Sequence, residues 1–151
     1  MPTIQGDLLK LAADGTFDVI VHGCNCHNTM GAGIAKSIKE KFPAAYEVDL
    51  LTEKGSREKL GTLTSAVVDC NGHSLTIVNA YTQYNWSGEG RNADYDAIRA
   101  AFREVKQQYA GARIGYPMIG AGLAGGDWSV ISKVINEELN GEDHTLVEYK
   151  P

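Results

Sequence analysis

Phe17-Asp18-Val19-Ile20-Val21-His22-Gly23 runs into Cys24-Asn25-Cys26-His27-Asn28-Thr29-Met30-Gly31-Ala32-Gly33, and then into Ile34-Ala35-Lys36-Ser37-Ile38-Lys39-Glu40-Lys41-Phe42. The first segment has a β-branched centre and ends on glycine, which predicts a strand inside a sheet covered on both faces. The second is short, polar and glycine-bearing, which predicts a loop. In the third, Ile34, Ile38 and Phe42 recur every four residues and mark one face of a helix. Pro43 ends or sharply interrupts that helix.

The same order returns near the other end of the chain. Residues 112–116 predict a short strand, followed by Pro117-Met118-Ile119-Gly120-Ala121-Gly122-Leu123-Ala124-Gly125-Gly126. Asp127 can cap the next helix, whose apolar face is Val130, Ile131, Val134, Ile135 and Leu139 and whose end is Asn140-Gly141. Residues 145–149 predict a last strand. Between the two glycine loops, residues 44–53 predict a shorter helix stopped by Lys54-Gly55. Residues 62–68 and 74–79 predict strands joined at Asn71-Gly72, a strong hairpin signal; Cys70 and His73 flank the turn. Tyr81, Gln83, Tyr84, Trp86, Ser87, Gly88, Gly90 and Arg91 belong to a polar, aromatic loop over residues 81–92. Asp94 opens a helix to about Tyr109, with Ile98, Ala101, Phe102 and Val105 on one side. At the start, Ile4 begins a short extended segment, and Leu8, Leu9 and Leu11 after Gly6-Asp7 read as an apolar turn.

Helices alternating with strands predict an α/β domain over residues 1–151, with a mostly parallel or mixed sheet covered on both sides. The 151 residues, 43% of them apolar, suffice for a sizeable core. A net charge of −5 argues against non-specific nucleic-acid binding but not against an anionic nucleotide held by backbone N–H groups. Cys24, Cys26 and Cys70 fit a reduced compartment. With His22 and His27 nearby a metal cluster is conceivable, but no second ligand pair has suitable spacing, so no metal or cofactor is expected. The chain shows no apolar run long enough for a membrane and no secretory pattern near residue 1; the expected location is the cytoplasm.

Glycine permits positive φ and close approach of backbone to a ligand, and a loop feeding a helix N-terminus offers unpaired N–H groups. Gly31-Ala32-Gly33 fits that description, as does Gly120-Ala121-Gly122. Two such loops could clamp both sides of a pyrophosphate; on spacing alone they could equally be two tight turns. Neither ends in Gly-Lys-Ser/Thr, and G-x-G-x-x-G is incomplete after Gly31.

Gly6-Asp7-Leu8-Leu9, the stretch with His22, Asn25 and Met30-Gly31-Ala32-Gly33-Ile34-Ala35, and Pro117-Met118-Ile119-Gly120-Ala121-Gly122-Leu123 with Trp128 together resemble the macrodomain family. They resemble most the branch of yeast-type ADP-ribose-1''-phosphate phosphatases and terminal ADP-ribose glycohydrolases. The resemblance implies a three-layer α/β/α fold with a mixed central sheet and an ADP-ribose cleft. In it Asp7 would accept from the adenine amino group, the backbone at Leu8 would lie beside the base, and Tyr149 would pack on the adenine or merely close the last strand. Gly31, Ala32, Gly33 and Ile34 would face the distal ribose and pyrophosphate. Ile119, Gly120, Ala121, Gly122, Leu123 and Ala124 would cradle the phosphates from the other side.

Three functions follow from that resemblance. The first is hydrolysis of ADP-ribose 1''-phosphate: Asn25 or Asn28 would orient the distal ribose or its phosphate, and His27, a residue type that exchanges protons near neutrality, would transfer a proton. Asp127 would position a water or act as a base, or serve only as a helix cap. The second is removal of ADP-ribose from modified proteins or related esters. Glycohydrolase-like members use a lysine and an aspartate where this chain has Ala80 and Ala124, which argues against that mechanism and leaves a substrate-assisted or water-mediated route. The third is a non-catalytic reader of ADP-ribose. Tyr84 and Trp86 would wall or gate the distal ribose or simply pack the loop, and Arg91 would offer charge-assisted bonds to a terminal phosphate.

Overall fold

The computed structural model describes residues 1–86 and 90–151. Ser87 and Gly88 of the aromatic loop lie outside the described residues. In chain order the elements are β1 (Thr3–Gly6), α1 (Leu8–Ala13), β2 (Val19–Cys24), α2 (Gly33–Lys41), α3 (Pro43–Leu50) and a 3-10 turn over Arg57–Lys59. There follow β3 (Leu63–Cys70), β4 (His73–Tyr81), α4 (Tyr95–Tyr109), β5 (Arg113–Tyr116), α5 (Trp128–Glu138) and β6 (Asp143–Tyr149).

The strands form one sheet in the order β1-β6-β5-β2-β4-β3. All neighbours are parallel except β3 and β4, which pair antiparallel with Cys70 opposite His73. Asn71 and Gly72 between them both adopt left-handed backbone, the conformation a two-residue hairpin turn requires. The sheet is therefore mixed because of this one hairpin.

Side chains alternate across β2 and divide the core in two. Val19 and Val21 join Ile98, Phe102, Ile131 and Ile135 of α4 and α5. Ile20 joins Leu8, Leu9 and Ala12 of α1, Ile38 of α2, and Phe42 and Ala45 at the start of α3. The result is a three-layer α/β/α fold. The segment after Asp7, read as an apolar turn, is a six-residue helix: Asp7 caps it by accepting from Leu9 N and Lys10 N, and Leu8, Leu9 and Ala12 are buried. At Gly115 of β5 a Cβ would stand 2.7 Å from the Phe17 ring, so glycine is what lets that ring lie on the sheet.

The carboxyl ends of the five parallel strands share one edge, at Gly6, Tyr149, Tyr116, Cys24 and Tyr81. At its centre β2 and β5 are neighbours, yet the chain leaves β2 toward α2 on one face and β5 toward α5 on the other. Such a divergence opens a crevice in which α/β proteins hold ligands. Among the described residues no helix is long and apolar enough to cross a membrane.

Candidate functional site

The crevice is a cavity of about 530 Å³, within the range of small-molecule sites. Its lining runs from the end of β2 (Gly23, Cys24, Asn25) through Thr29 to Ala35, and from Pro117 to Gly120 and Gly122 to Ala124 on the other side. Gln83 and Trp86 close a third side. Among the described residues the lining holds no Asp, Glu, Lys, Arg or His. Recognition here falls to backbone groups and to neutral side chains.

The first loop is shaped by its own side chains. Asn25 is nearly buried; its Nδ2 donates to Thr29 Oγ1 (2.8 Å) and Thr29 O (3.2 Å), and its Oδ1 accepts from His27 N (2.8 Å). Asn28 adopts left-handed backbone at φ 57°. Its Nδ2 donates to Thr52 O (2.9 Å), and its Oδ1 accepts from Lys59 Nζ (2.6 Å). The loop delivers Ala32 as the N-cap of α2, with no side chain bonded to the helix N-terminus. The N–H groups of Gly33, Ile34 and Ala35 thus lack acceptors among the described residues and point a partial positive charge at the cavity edge.

The second loop differs. Its turns are closed by backbone bonds, Ala121 N to Met118 O, Gly125 N to Gly122 O and Gly126 N to Gly120 O, while the Gly120, Gly122, Leu123 and Ala124 amides have no acceptor among the described residues. The α5 N-terminus that follows is not open. Asp127 Oδ1 accepts from Ser129 N (2.9 Å) and Ser129 Oγ (2.7 Å). Those bonds hold the Asp127 carboxyl below its ordinary range. The N-terminus of α2 is therefore the open one, and Asp127 caps α5 as its sequence position predicts.

The sequence candidates divide accordingly. Asn25, Gly31, Ala32, Gly33, Ile34, Ile119, Gly120, Gly122, Leu123 and Ala124 line the cavity; Ala121 does not. His27 and Asn28 also stand outside the lining. The His27 ring packs edge-on to Tyr84 (4.6 Å between centroids) and Trp86 (5.2 Å), with Nε2 3.2 Å from Asn85 Oδ1. Its contact with the crevice runs through Trp86, because long-range aromatic packing and not loop sequence sets its direction. Asp127 is a helix cap outside the lining, and the Arg91 guanidinium stacks on Tyr95 at 3.9 Å. Ala80 is buried in β4 opposite Gly23.

Asp7, Leu8 and Tyr149 lie farther along the same edge, outside the cavity lining. Leu8 is a core residue. Both cap bonds of Asp7 fall on Oδ1, which leaves Oδ2 without a donor among the described residues. Tyr149 pairs with Gly6, the residue before Asp7, in register and is 72% exposed.

His22 and Cys24, buried on β2, are kept neutral by burial. Burial pulls His22 down to about 4, and its Nε2 bonds Asn79 Oδ1 at 2.7 Å. Burial pushes the Cys24 thiol well above its ordinary value, so this sulfhydryl in the lining is not a ready nucleophile. No group of three or more His, Cys, Asp or Glu among the described residues could hold a metal. Sequence reasoning missed Thr29 and Gln83 in the lining and the buried Lys59 behind it; only the Ser-Arg-Glu-Lys cap at Ser56 hinted that residues 56–59 were structured.

A Macro domain profile matches residues 21–135. An uncharacterized 17.5 kDa protein from the tk-vs intergenic region of Enterobacteria phage T4 is 32% identical over 98% of this chain and 96% of its own length. An ADP-ribose 1''-phosphate phosphatase of Aspergillus oryzae is 51% identical over 45 residues, 30% of this chain and 21% of that protein. A DNA ADP-ribosyl glycohydrolase of Mycobacterium tuberculosis is 27% identical over 97% of this chain but only 41% of its own length. The chain thus spans nearly all of the phage protein and less than half of the two enzymes. A solved structure from Bacteroides thetaiotaomicron, described as a protein of unknown function, superposes with a TM-score of 0.79 at 26% identity, covering 98% of this chain and 96% of that one. The profile match over three quarters of the chain, with the crevice at the divergence of β2 and β5, places this protein in the macrodomain family.

Proposed function

We propose that the protein binds ADP-ribose in the crevice and hydrolyses ADP-ribose 1''-phosphate to ADP-ribose and phosphate. One observation carries the binding: an uncapped α2 N-terminus faces the free amides of Gly120, Gly122, Leu123 and Ala124 across a cavity whose lining, among the described residues, has no charged side chain. A diphosphate there takes its hydrogen bonds from fixed backbone dipoles. The free Oδ2 of Asp7 accepts from the adenine amino group, and the Tyr149 ring covers the base. The distal ribose then points toward Asn25, Thr29, Gln83 and Trp86. The local similarity to the Aspergillus phosphatase supports the choice of reaction.

In that reaction water attacks phosphorus, the bond from phosphorus to the anomeric oxygen breaks, and ADP-ribose leaves with its 1''-hydroxyl. With no acid or base among the described residues of the lining, the proton of the attacking water passes to a phosphate oxygen of the substrate and from there to the leaving oxygen. The protein contributes orientation, through the backbone cradle and the Asn25 turn. The neutral lining also favours a second reading, an ADP-ribose reader without turnover, and Ala80 and Ala124 supply neither lysine nor aspartate for glycohydrolysis.

Calorimetry with ADP-ribose and phosphate release from ADP-ribose 1''-phosphate test the proposal together. The expected result is association with turnover. His27→Ala should act through Trp86 and change turnover less than Asn25→Ala, and Asp127→Ala, which removes the α5 cap, should lower the melting temperature with turnover nearly unchanged. Binding without release from the 1''-phosphate, or from ADP-ribosylated protein or DNA, would make the protein a reader. No association with ADP-ribose would end both readings.

A further inference from the structure

Behind the first glycine loop, on the side away from the cavity, stands a lysine that the function above does not use. Lys59 closes the 3-10 turn over Arg57–Lys59 and is only 7% exposed. An ammonium group out of water is costly unless each of its three protons finds a partner. Here Nζ donates to Cys26 O at 3.2 Å and to Asn28 Oδ1 at 2.6 Å, and it lies 4.8 Å from the centre of the Tyr81 ring. None of the ion pairs among the described residues includes it. Two of its three partners belong to the loop that carries the cavity's N–H groups.

Asn28 needs an anchor. Left-handed backbone is unfavourable for a residue with a Cβ and persists where its surroundings impose it. Those surroundings are Lys59, the Thr52 carbonyl and hydroxyl, and the Tyr46 hydroxyl, which donates to Asn28 O at 3.1 Å. The Lys59 bond is the one with a charged donor, the stronger kind. Beyond Asn28 the chain reaches the cavity within a single residue, at Thr29, and a Cβ on Gly31 would meet nothing within 4 Å.

We propose that Lys59 is the positioning residue of this loop. Its buried ammonium clamps Cys26 and Asn28 from behind and so holds residues 29–35 in the shape that presents their amides to a phosphate. Its charge also lies on the far side of the loop from the anion and adds to the attraction. The second half of this inference rests on the ADP-ribose reading; the first half does not.

The test uses the full chain as Lys59→Met, Asn28→Gly and the double variant. Methionine keeps the apolar stem without the charge, and glycine keeps the left-handed backbone without the side chain. Amide hydrogen exchange is read at residues 25–35 without ligand, and ADP-ribose affinity by calorimetry. Lys59→Met should raise exchange in that segment and weaken ADP-ribose binding, each by about tenfold, because the competent loop becomes a minor conformer. Since the lysine acts through Asn28, the double variant should bind no more weakly than the worse single one. Exchange and affinity within about twofold of wild type would overturn the inference, as would a lower melting temperature with exchange in residues 25–35 unchanged. If Lys59→Met does not fold, Asn28→Gly decides by the same two readings. A wild-type protein that ignores ADP-ribose removes the function proposed above, and the exchange data still decide whether Lys59 holds the loop.

Discussion

The two glycine loops that face each other across the crevice use glycine for opposite purposes. In the loop after β5 Gly120, Gly125 and Gly126 are packed, and Gly122 alone, on the cavity lining, has open space beside it. A Cβ on Gly126 would stand 2.5 Å from Gly120 O and 2.7 Å from Ile131, and one on Gly120 would press on Ile131 and Ala93. In the loop after β2 a Cβ on Gly31 meets nothing within 4 Å. One loop is a compact backbone coil seated on the core. The other is an open strip, held from behind by Asn25, Asn28 and Lys59, whose missing side chains leave room on the crevice side. Glycine counted in a sequence does not distinguish these uses; the neighbours do.

The contrast can be broken in three ways. The largest effect is expected in the packed loop. Gly126→Ala must displace backbone, and a loss of about 3 kcal/mol is expected, read as a fall in the urea midpoint; a loss under about 0.5 kcal/mol would show that this loop is as open as the other. Acid comes second, and it addresses the strand beneath the open loop. Buried His22 titrates at about 4 instead of its ordinary 6.5. Between those values the unfolded chain holds a proton that the folded one lacks, so stability is full above about 6.5 and is lost as pH falls toward 4. The loss from pH 7 to pH 5 is about 2 kcal/mol, and His22→Gln should flatten that slope in denaturant titrations. The smallest effect on the fold belongs to Gly31→Val: stability should stay within about 0.5 kcal/mol, while ADP-ribose affinity drops by about tenfold. If that variant instead unfolds with wild-type affinity in its folded fraction, the open strip is a packed one.

Much of this architecture was legible in the chain. The β-branched run of Val19, Ile20 and Val21 ending at Gly23, the four-residue recurrence from Ile34 to Phe42, and Asn71-Gly72 are local signals, and local physics decides them. Leu8–Ala13 was not legible as a helix, because six residues show too little periodicity; the cap at Asp7 was the available clue. In the site, the two loops that line the crevice could be read from glycine positions. The directions of His27 and Asn28 could not, since they depend on Tyr84, Trp86, Thr52 and Lys59, between 24 and 59 residues away. Lys59 reads as a solvated charge until the 3-10 turn folds it under the loop.

Because β2 and β5 send their chains to opposite helical layers, a molecule seated between the loops touches both halves of the protein at once. Such an occupant works as a cross-link between the α2 side and the α5 side. Local opening of either layer would then require its release, so protection from exchange should rise in α2 and α5 together, including at amides that never meet the ligand.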